Sequence, residues 1–143
     1  MRRDKFDATF SDVIRSAADW ECEICHIKSE PESMSQVRME CSHDISRRFV
    51  ITRYDSRNAI CSCSACHRKT TDDPHIHHDM MIRIKGSEEV QLNRERAHSG
   101  DRLKPAEKDD IRKHWQNEMV RIKDLRMEGK QGKIELYIPE ILL

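Results

Sequence analysis

Two Cys-x-x-Cys pairs, Cys22/Cys25 and Cys63/Cys66, carry the most specific chemical signal in the chain. Each pair can grip a metal ion through a tight backbone knuckle, and two pairs complete a tetrahedral four-thiolate site with no open position. Such a site contributes folding free energy directly, on the order of 10 kcal/mol in small zinc peptides. The 37 residues between the pairs exceed the spacing of the common zinc ribbons, so a functional insert is expected there. Six cysteines in a reducing compartment argue for metal rather than disulfides. Two independent redox pairs are the alternative, but neither lies in a recognisable βαβ context. Cys61 could replace Cys63 as a ligand, although Cys61-x-Cys63 lacks the knuckle spacing. Cys41 and Cys61 read as small buried hydrophobes.

Three further residues stand in a telling order: His43 inside the insert, Asn58 after it, and His67 directly after the last cysteine of the frame. Each alone has an ordinary reading, as a surface or core histidine or as turn chemistry. Around them, residues 45–70 hold Arg47, Arg48, Arg53, Arg57, Arg68 and Lys69 against one acid, Asp55, a local excess of +5. A phosphate backbone would be attracted to such a segment, and a solvated charged surface is the plainer account.

The elements that must position these residues follow from periodicity. Phe6, Phe10, Val13, Ile14 and Ala17 mark one face of a helix over 4–19. Residues 29–35 are a loop by composition. Val37, Met39 and Cys41 alternate with Arg38 and Glu40, a strand leading into His43, and residues 58–61 form the return strand. Ser64 is expected to cap the helix that holds Cys66 and His67. Asp73-Pro74 opens a helix that Gly86 closes, and 88–98 form another short one. A long helix runs from Pro105 to about Glu128 with the stripe Ile111, Trp115, Met119, Ile122 and Leu125, which covers a core or makes a dimer seam. The tail 134–138 alternates like a strand.

Composition sets the class. At 143 residues, with 36% charged and 36% hydrophobic residues, the core is thin and a metal staple would help to fix it. Residues 1–100 are expected to form the site-bearing domain with its N-terminal helix. Residues 101–143 form a C-terminal helix and tail for packing, dimerisation or DNA contact. No apolar run approaches membrane-spanning length and none suits secretion, so a cytoplasmic protein is expected. The formal net charge of zero predicts no nucleic-acid partner by itself.

In its motifs the chain resembles the HNH, or ββα-metal, endonucleases. The carriers are Cys-Ser-His43-Asp-Ile-Ser46-Arg47, then Thr52-Arg53-Tyr54-Asp55 leading to Asn58, then Cys63-x-x-Cys66-His67, then Pro74 and the helix ending at Gly86. The phage recombination nucleases of the NinG/Rap type are the nearer likeness, over roughly residues 20–100. Endonucleases of the phage Holliday-junction class share the four-cysteine arrangement. The resemblance implies an α+β fold: a small zinc-stapled ββα-metal core with flanking helices. It implies structural Zn2+ on Cys22, Cys25, Cys63 and Cys66, with Mg2+ or Mn2+ for catalysis. His43 would be the general base and Asn58 the brace of its loop. His67 would hold the divalent ion, and Arg47 and Arg53 would clamp phosphate. DNA, branched forms included, is the implied substrate, a homodimer the implied assembly, and the cytoplasm of a bacterial host the implied location of a phage-encoded enzyme.

One position departs from that pattern. The family places Asp or His just before the general-base His, as a second ligand of the catalytic ion, and here that residue is Ser42. A hydroxyl is a poor ligand for a hard cation unless water or a carboxylate helps, so Ser42 or the nearby Asp44 is the candidate. His75, His77 and His78 could approach from the next helix, where a polar helix start is their ordinary reading. The competing functions are a non-catalytic zinc module that binds nucleic acid, and a structural protein with no salt-sensitive DNA affinity. A zinc deaminase does not fit, because no His-x-Glu with a later Pro-Cys-x-x-Cys is present.

Overall fold

A computed structural model describes residues 2–29 and 37–143. Helix α1 (Lys5–Ala17) starts with a reciprocal cap: the Asp4 and Asp7 carboxylates each accept the other's backbone N–H at 2.8 Å. Strand β1 (Met39–His43) pairs antiparallel with β2 (Ala59–Cys63), in a register that sets His43 opposite Ala59 and Cys41 opposite Cys61. Between them lie the short helix α2 (Val50–Arg53) and a 3-10 turn at Ser56–Asn58. Then come α3 (Ser64–Asp72), α4 (Pro74–Lys85), α5 (Ser87–Ala97) and α6 (Pro105–Met127). The protein is therefore mixed α and β, mostly helical, with one two-stranded sheet.

The helices pack on the two faces of that small sheet. On one face, α1 and α6 bury Phe10, Val13, Ile14, Ile111, Trp115 and Ile122 against Met39, Cys41 and Cys61. Trp115 lies at the centre of this cluster, and its indole N–H donates to the Tyr54 carbonyl at 3.0 Å. On the other face, Ile60 packs with Met81 of α4 and Val90 of α5. Gly86 takes φ +88 between α4 and α5, a conformation that favours glycine, and so allows the sharp turn that brings α5 back.

Several expectations shift on contact with this packing. The helix at 4–19, the helix opened by Asp73-Pro74 and the long C-terminal helix lie where periodicity puts them. Ser64 is not a cap: Cys63 occupies that position and its sulfur accepts the N–H of Cys66, while the Ser64 hydroxyl donates to the Arg38 carbonyl. The alternating tail 134–138 is no strand, because it meets side chains and not a strand edge. Its backbone is held by Glu118, His114 and Arg121 of α6, while Ile134 is buried. Residues 30–35 of the expected loop lie outside the described residues.

Truncating the central ring tests this core. Trp115→Ala should destabilise the protein by about 3–5 kcal/mol in chemical denaturation. A loss below about 1 kcal/mol would show that α6 is not part of the cooperative core.

Candidate metal centre and the adjoining cavity

The four frame cysteines converge. After α1 the chain reverses through Asp19 and Trp20, both in left-handed backbone at φ 58 and φ 55. A short bridge from Glu21 to Lys28 closes the first knuckle, in which the Cys25 N–H points at the Cys22 sulfur at 3.5 Å. The second knuckle spans the end of β2 and the start of α3, and the Cys66 N–H points at the Cys63 sulfur at 3.5 Å. All four sulfurs lie within 4.8 Å of one another. Cys25 and Cys63 are 3.8 Å apart. Four sulfurs about 2.3 Å from a central zinc would stand about 3.8 Å from each other, whereas a disulfide would need about 2 Å. The cluster could thus hold a structural metal such as zinc. Burial disfavours the Cys22 thiolate, but the backbone N–H groups of Cys25, Cys63 and Ile24 outweigh it and bring that thiol down to about 7. Burial, together with the neighbouring sulfurs of Cys63 and Cys25, pushes Cys66 up. A divalent cation removes that conflict, since it ionises every thiol it ligates. Cys61 lies outside the cluster, and burial pushes the thiols of both Cys41 and Cys61 up to about 12, as inert buried cysteines require.

Glu23, inside the first knuckle, docks it on β2. Its backbone N–H donates to the Cys61 carbonyl at 2.9 Å, and its carboxylate accepts the Cys61 N–H at 2.7 Å. The outward backbone groups of Cys61 are satisfied in this way, and the cysteine cluster is tied to the sheet.

His43 ends β1 with its ring against Phe10. Its Nε2 lies 2.8 Å from the Arg53 carbonyl, which can only accept, so Nε2 carries the proton and Nδ1 keeps a lone pair. Burial, assisted by the nearby Arg47 charge and opposed by the Arg53 hydrogen bond, lowers the imidazole to about 4. Asn58 is fully buried and ties the intervening loop together. Its amide donates to the carbonyls of Ile45 and Thr52 at 3.1 Å, and its oxygen accepts the Ile45 N–H at 2.8 Å. His67 comes from α3 on the opposite face of β1, and its Nδ1 meets the Ser42 hydroxyl at 2.5 Å. Ser42 also bonds Ser62, so a buried serine pair backs the His67 ring.

Both imidazoles line one cavity of about 480 Å³ along β1. Arg38, Glu40 and Cys41 of the β1 segment line it too, as do Asp7, Ser11 and Arg15 of α1, with Arg3, Ser46 and Arg47 at its rim. Arg3, Arg15 and Arg38 were not among the expected site residues. A signal for two of them exists: Arg3, Asp7, Ser11 and Arg15 recur every four residues, a polar stripe on the helix whose other face is apolar.

Two expected site residues belong elsewhere. Arg53 is not a phosphate clamp. Its side chain is 10% exposed and forms a two-pronged ion pair with Asp7, with Nε at 2.9 Å. The Asp7 carboxyl is penalised by burial, yet the Arg53 hydrogen bonds and charge hold it below the usual carboxylate range. Asp44 turns toward α4. Its carboxylate is 5% exposed and faces His77 of α4, with Oδ1 3.4 Å from Nε2 but outside hydrogen-bond geometry. Arg47 does line the cavity and also lies 3.6 Å from Asp7. Compared with family models, curated proteins and solved structures, the chain matches none.

Purified protein should contain one zinc per chain by elemental analysis, and chelation or Cys63→Ser should lower Tm by more than about 10 °C. A folded, metal-free protein with unchanged Tm would rule out the structural role of the cluster. Arg53→Met should cost about 3 kcal/mol, because it strips the buried Asp7 carboxylate of its two-pronged guanidinium partner and leaves it only the Asp4 N–H and the more distant Arg47. Adding Asp7→Leu to it should recover most of that loss. Equal loss in the single and double variants would mean that the pair itself is unimportant.

Proposed function

We propose that the chain is a metal-dependent DNA endonuclease of the HNH kind, with β1, β2 and α3 as its ββα-metal core. The observation that carries this reading is His43: a half-buried neutral imidazole with one nitrogen committed to the Arg53 carbonyl and the other facing a cavity shared with His67 and four arginines. Held in one tautomer and orientation, it stays able to accept a proton at pH 7, although burial makes it a weaker base than a free imidazole.

In this reading a phosphodiester lies along β1 in the cavity. His43 Nδ1 takes a proton from the attacking water, the water oxygen bonds to phosphorus, and the 3′-oxygen leaves. Asn58 holds the 45–52 loop, and with it the Arg53 carbonyl that aims the His43 ring. Arg3, Arg15, Arg38 and Arg47 meet the phosphate charge. A divalent ion such as Mg2+ or Mn2+, bound at His67, would supply charge neutralisation and help for the leaving oxygen. If His67 Nδ1–H donates to Ser42, its Nε2 retains the lone pair such an ion needs, so Ser42 acts as the orienting partner and not as a ligand. The remaining coordination would come from water and phosphate oxygens, a usual pattern for Mg2+.

A second reading has its own observation. With the Ser42 hydroxyl committed to His67 and Ser62 and Asp44 lying against His77, the described residues offer no cluster of three His, Cys, Asp or Glu groups around His67. A zinc-stapled nucleic-acid-binding module without catalysis follows from this. Plasmid nicking with Mg2+ or Mn2+ separates the two. The nuclease reading expects His43→Ala to lower nicking by about 10²–10⁴-fold while DNA affinity stays within about threefold. The base-dependent limb of the rate should fall near pH 4, not near 6.5, because burial holds His43 neutral down to that pH. Nicking that survives His43→Ala defeats the nuclease reading, and tight DNA binding without cleavage under either ion selects the module.

A further inference from the structure

A second and larger cavity, of about 850 Å³, lies between the start of α1, the segment entering α2, and the joint between α5 and α6. Its floor is apolar and partly aromatic, with Phe6, Phe49, Ile51 and Leu103 all only partly buried. Phe49 packs against His98 with ring centroids 4.9 Å apart and the rings tilted by 46°, a contact that braces its ring. Four cations stand around this floor: Lys5, Arg48, Arg102 and Lys108. Among the described residues none of them forms an ion pair with a carboxylate, although Asp101 and Asp109 also line the cavity. Lys5 and Lys108 lie over the Phe6 ring at 5.2 and 4.9 Å.

The two cavities share a wall. Arg3 faces the histidine-lined cavity, while Lys5 and Phe6 face the larger one. Ser46 and Arg47 line the first, and Arg48 and Phe49 line the second. A strand leaving the first cavity over the 46–49 segment therefore enters the second.

We propose that this second cavity is a subsite for single-stranded DNA, holding the unpaired strand that continues from the cutting site. Its position relative to cleavage rests on the nuclease reading above, while the binding itself does not. Duplex DNA offers phosphates to the cations but keeps its bases stacked, leaving the aromatic floor without a partner. An acidic peptide likewise satisfies only the charges. An unpaired strand supplies both, phosphates for the rim and a base face for Phe49, the combination by which single strands are bound. The substrate class is thus DNA with an unpaired arm beside the duplex that is cut.

The test uses full-length zinc-loaded protein and fluorescence anisotropy with oligothymidylate, with a blunt duplex, and with the same duplex carrying an oligothymidylate overhang. Arg48→Glu with Arg102→Glu, both exposed, should weaken oligothymidylate and overhang binding by about tenfold or more. It should also reduce the salt slope for the single strand by about 1.4, the share of two phosphates. Blunt-duplex binding and its cleavage should change by less than about twofold. Phe49→Leu, which keeps the apolar packing and removes the ring, should weaken the single strand about tenfold without shifting the salt slope. Unchanged oligothymidylate binding in the double variant overturns the proposal, as does an equal loss on blunt and overhang DNA, or competition by polyglutamate equal to that of oligothymidylate. Binding through these residues by a protein that cuts no DNA upholds the subsite and removes the nuclease reading. Cleavage with no preference for the overhang upholds that reading and overturns the subsite.

Discussion

The convergence of four sulfurs from two distant knuckles is the constraint on which the rest of the molecule hangs. One knuckle belongs to the turn after α1 and the other joins β2 to α3. A metal bound there ties helix, strand and helix at one point, and Glu23 locks the same knuckle to the edge of β2. The candidate site then lies at fixed offsets from the cluster. His67 directly follows a ligand, so the first turn of α3 sets its direction. His43 is placed opposite Ala59 by the β1–β2 register, four residues from Cys63 along β2. In a protein with so thin an apolar core, a metal held by the four sulfurs would add rigidity beyond what packing supplies.

Polar groups complete the job that the cluster begins, and each of them acts on backbone. Asp7 caps α1 and at the same time grips the Arg53 guanidinium. The Arg53 carbonyl in turn receives the His43 N–H, and Asn58 gathers the carbonyls of Ile45 and Thr52 around it. A buried ion pair of this kind is a weak source of stability, because desolvation offsets most of the attraction. Its value here is positional: it fixes one carbonyl, and that carbonyl fixes one imidazole tautomer. The cost of burying these groups is met by satisfying them, the condition under which a polar network specifies a single geometry.

How much of this could be read in advance depended on whether a residue's role was local. The knuckles, the long helix and the Asp73-Pro74 helix start are set by short-range spacing, and they lie where spacing puts them. The bracing role of Asn58 came only from the resemblance to the HNH nucleases, and its amide does hold the 45–52 segment. Arg53 was misread for the opposite reason. A basic run says nothing about which members face inward, and only the approach of Asp7, 46 residues away, turns Arg53 into a buried anchor. Asp44 followed the same rule, since its partner His77 arrives from a helix whose packing the strand pattern cannot report. The tail alternated convincingly, but a strand exists only where a partner edge is free, and α6 offered side chains instead.

The formal charge of zero is a further case in which an average hides an arrangement. Many of the acids are consumed in close pairs that face inward or lie along helices: Asp7 with Arg53, Asp55 with Arg57, Glu118 with Arg121, Asp19 with Lys28. What remains around the two cavities is unbalanced. The histidine-lined cavity has four arginines, although Arg15 pairs with Asp12, Arg38 lies by Glu40, and Arg47 lies by Asp7, which Arg53 already holds. The larger one has four cations against Asp101 and Asp109. Because an anionic polymer responds to the local potential within about a Debye length and not to the net charge of the molecule, this neutral chain can present a strongly attractive face. On the proposed reading, attraction of DNA to these cavities would be salt-sensitive.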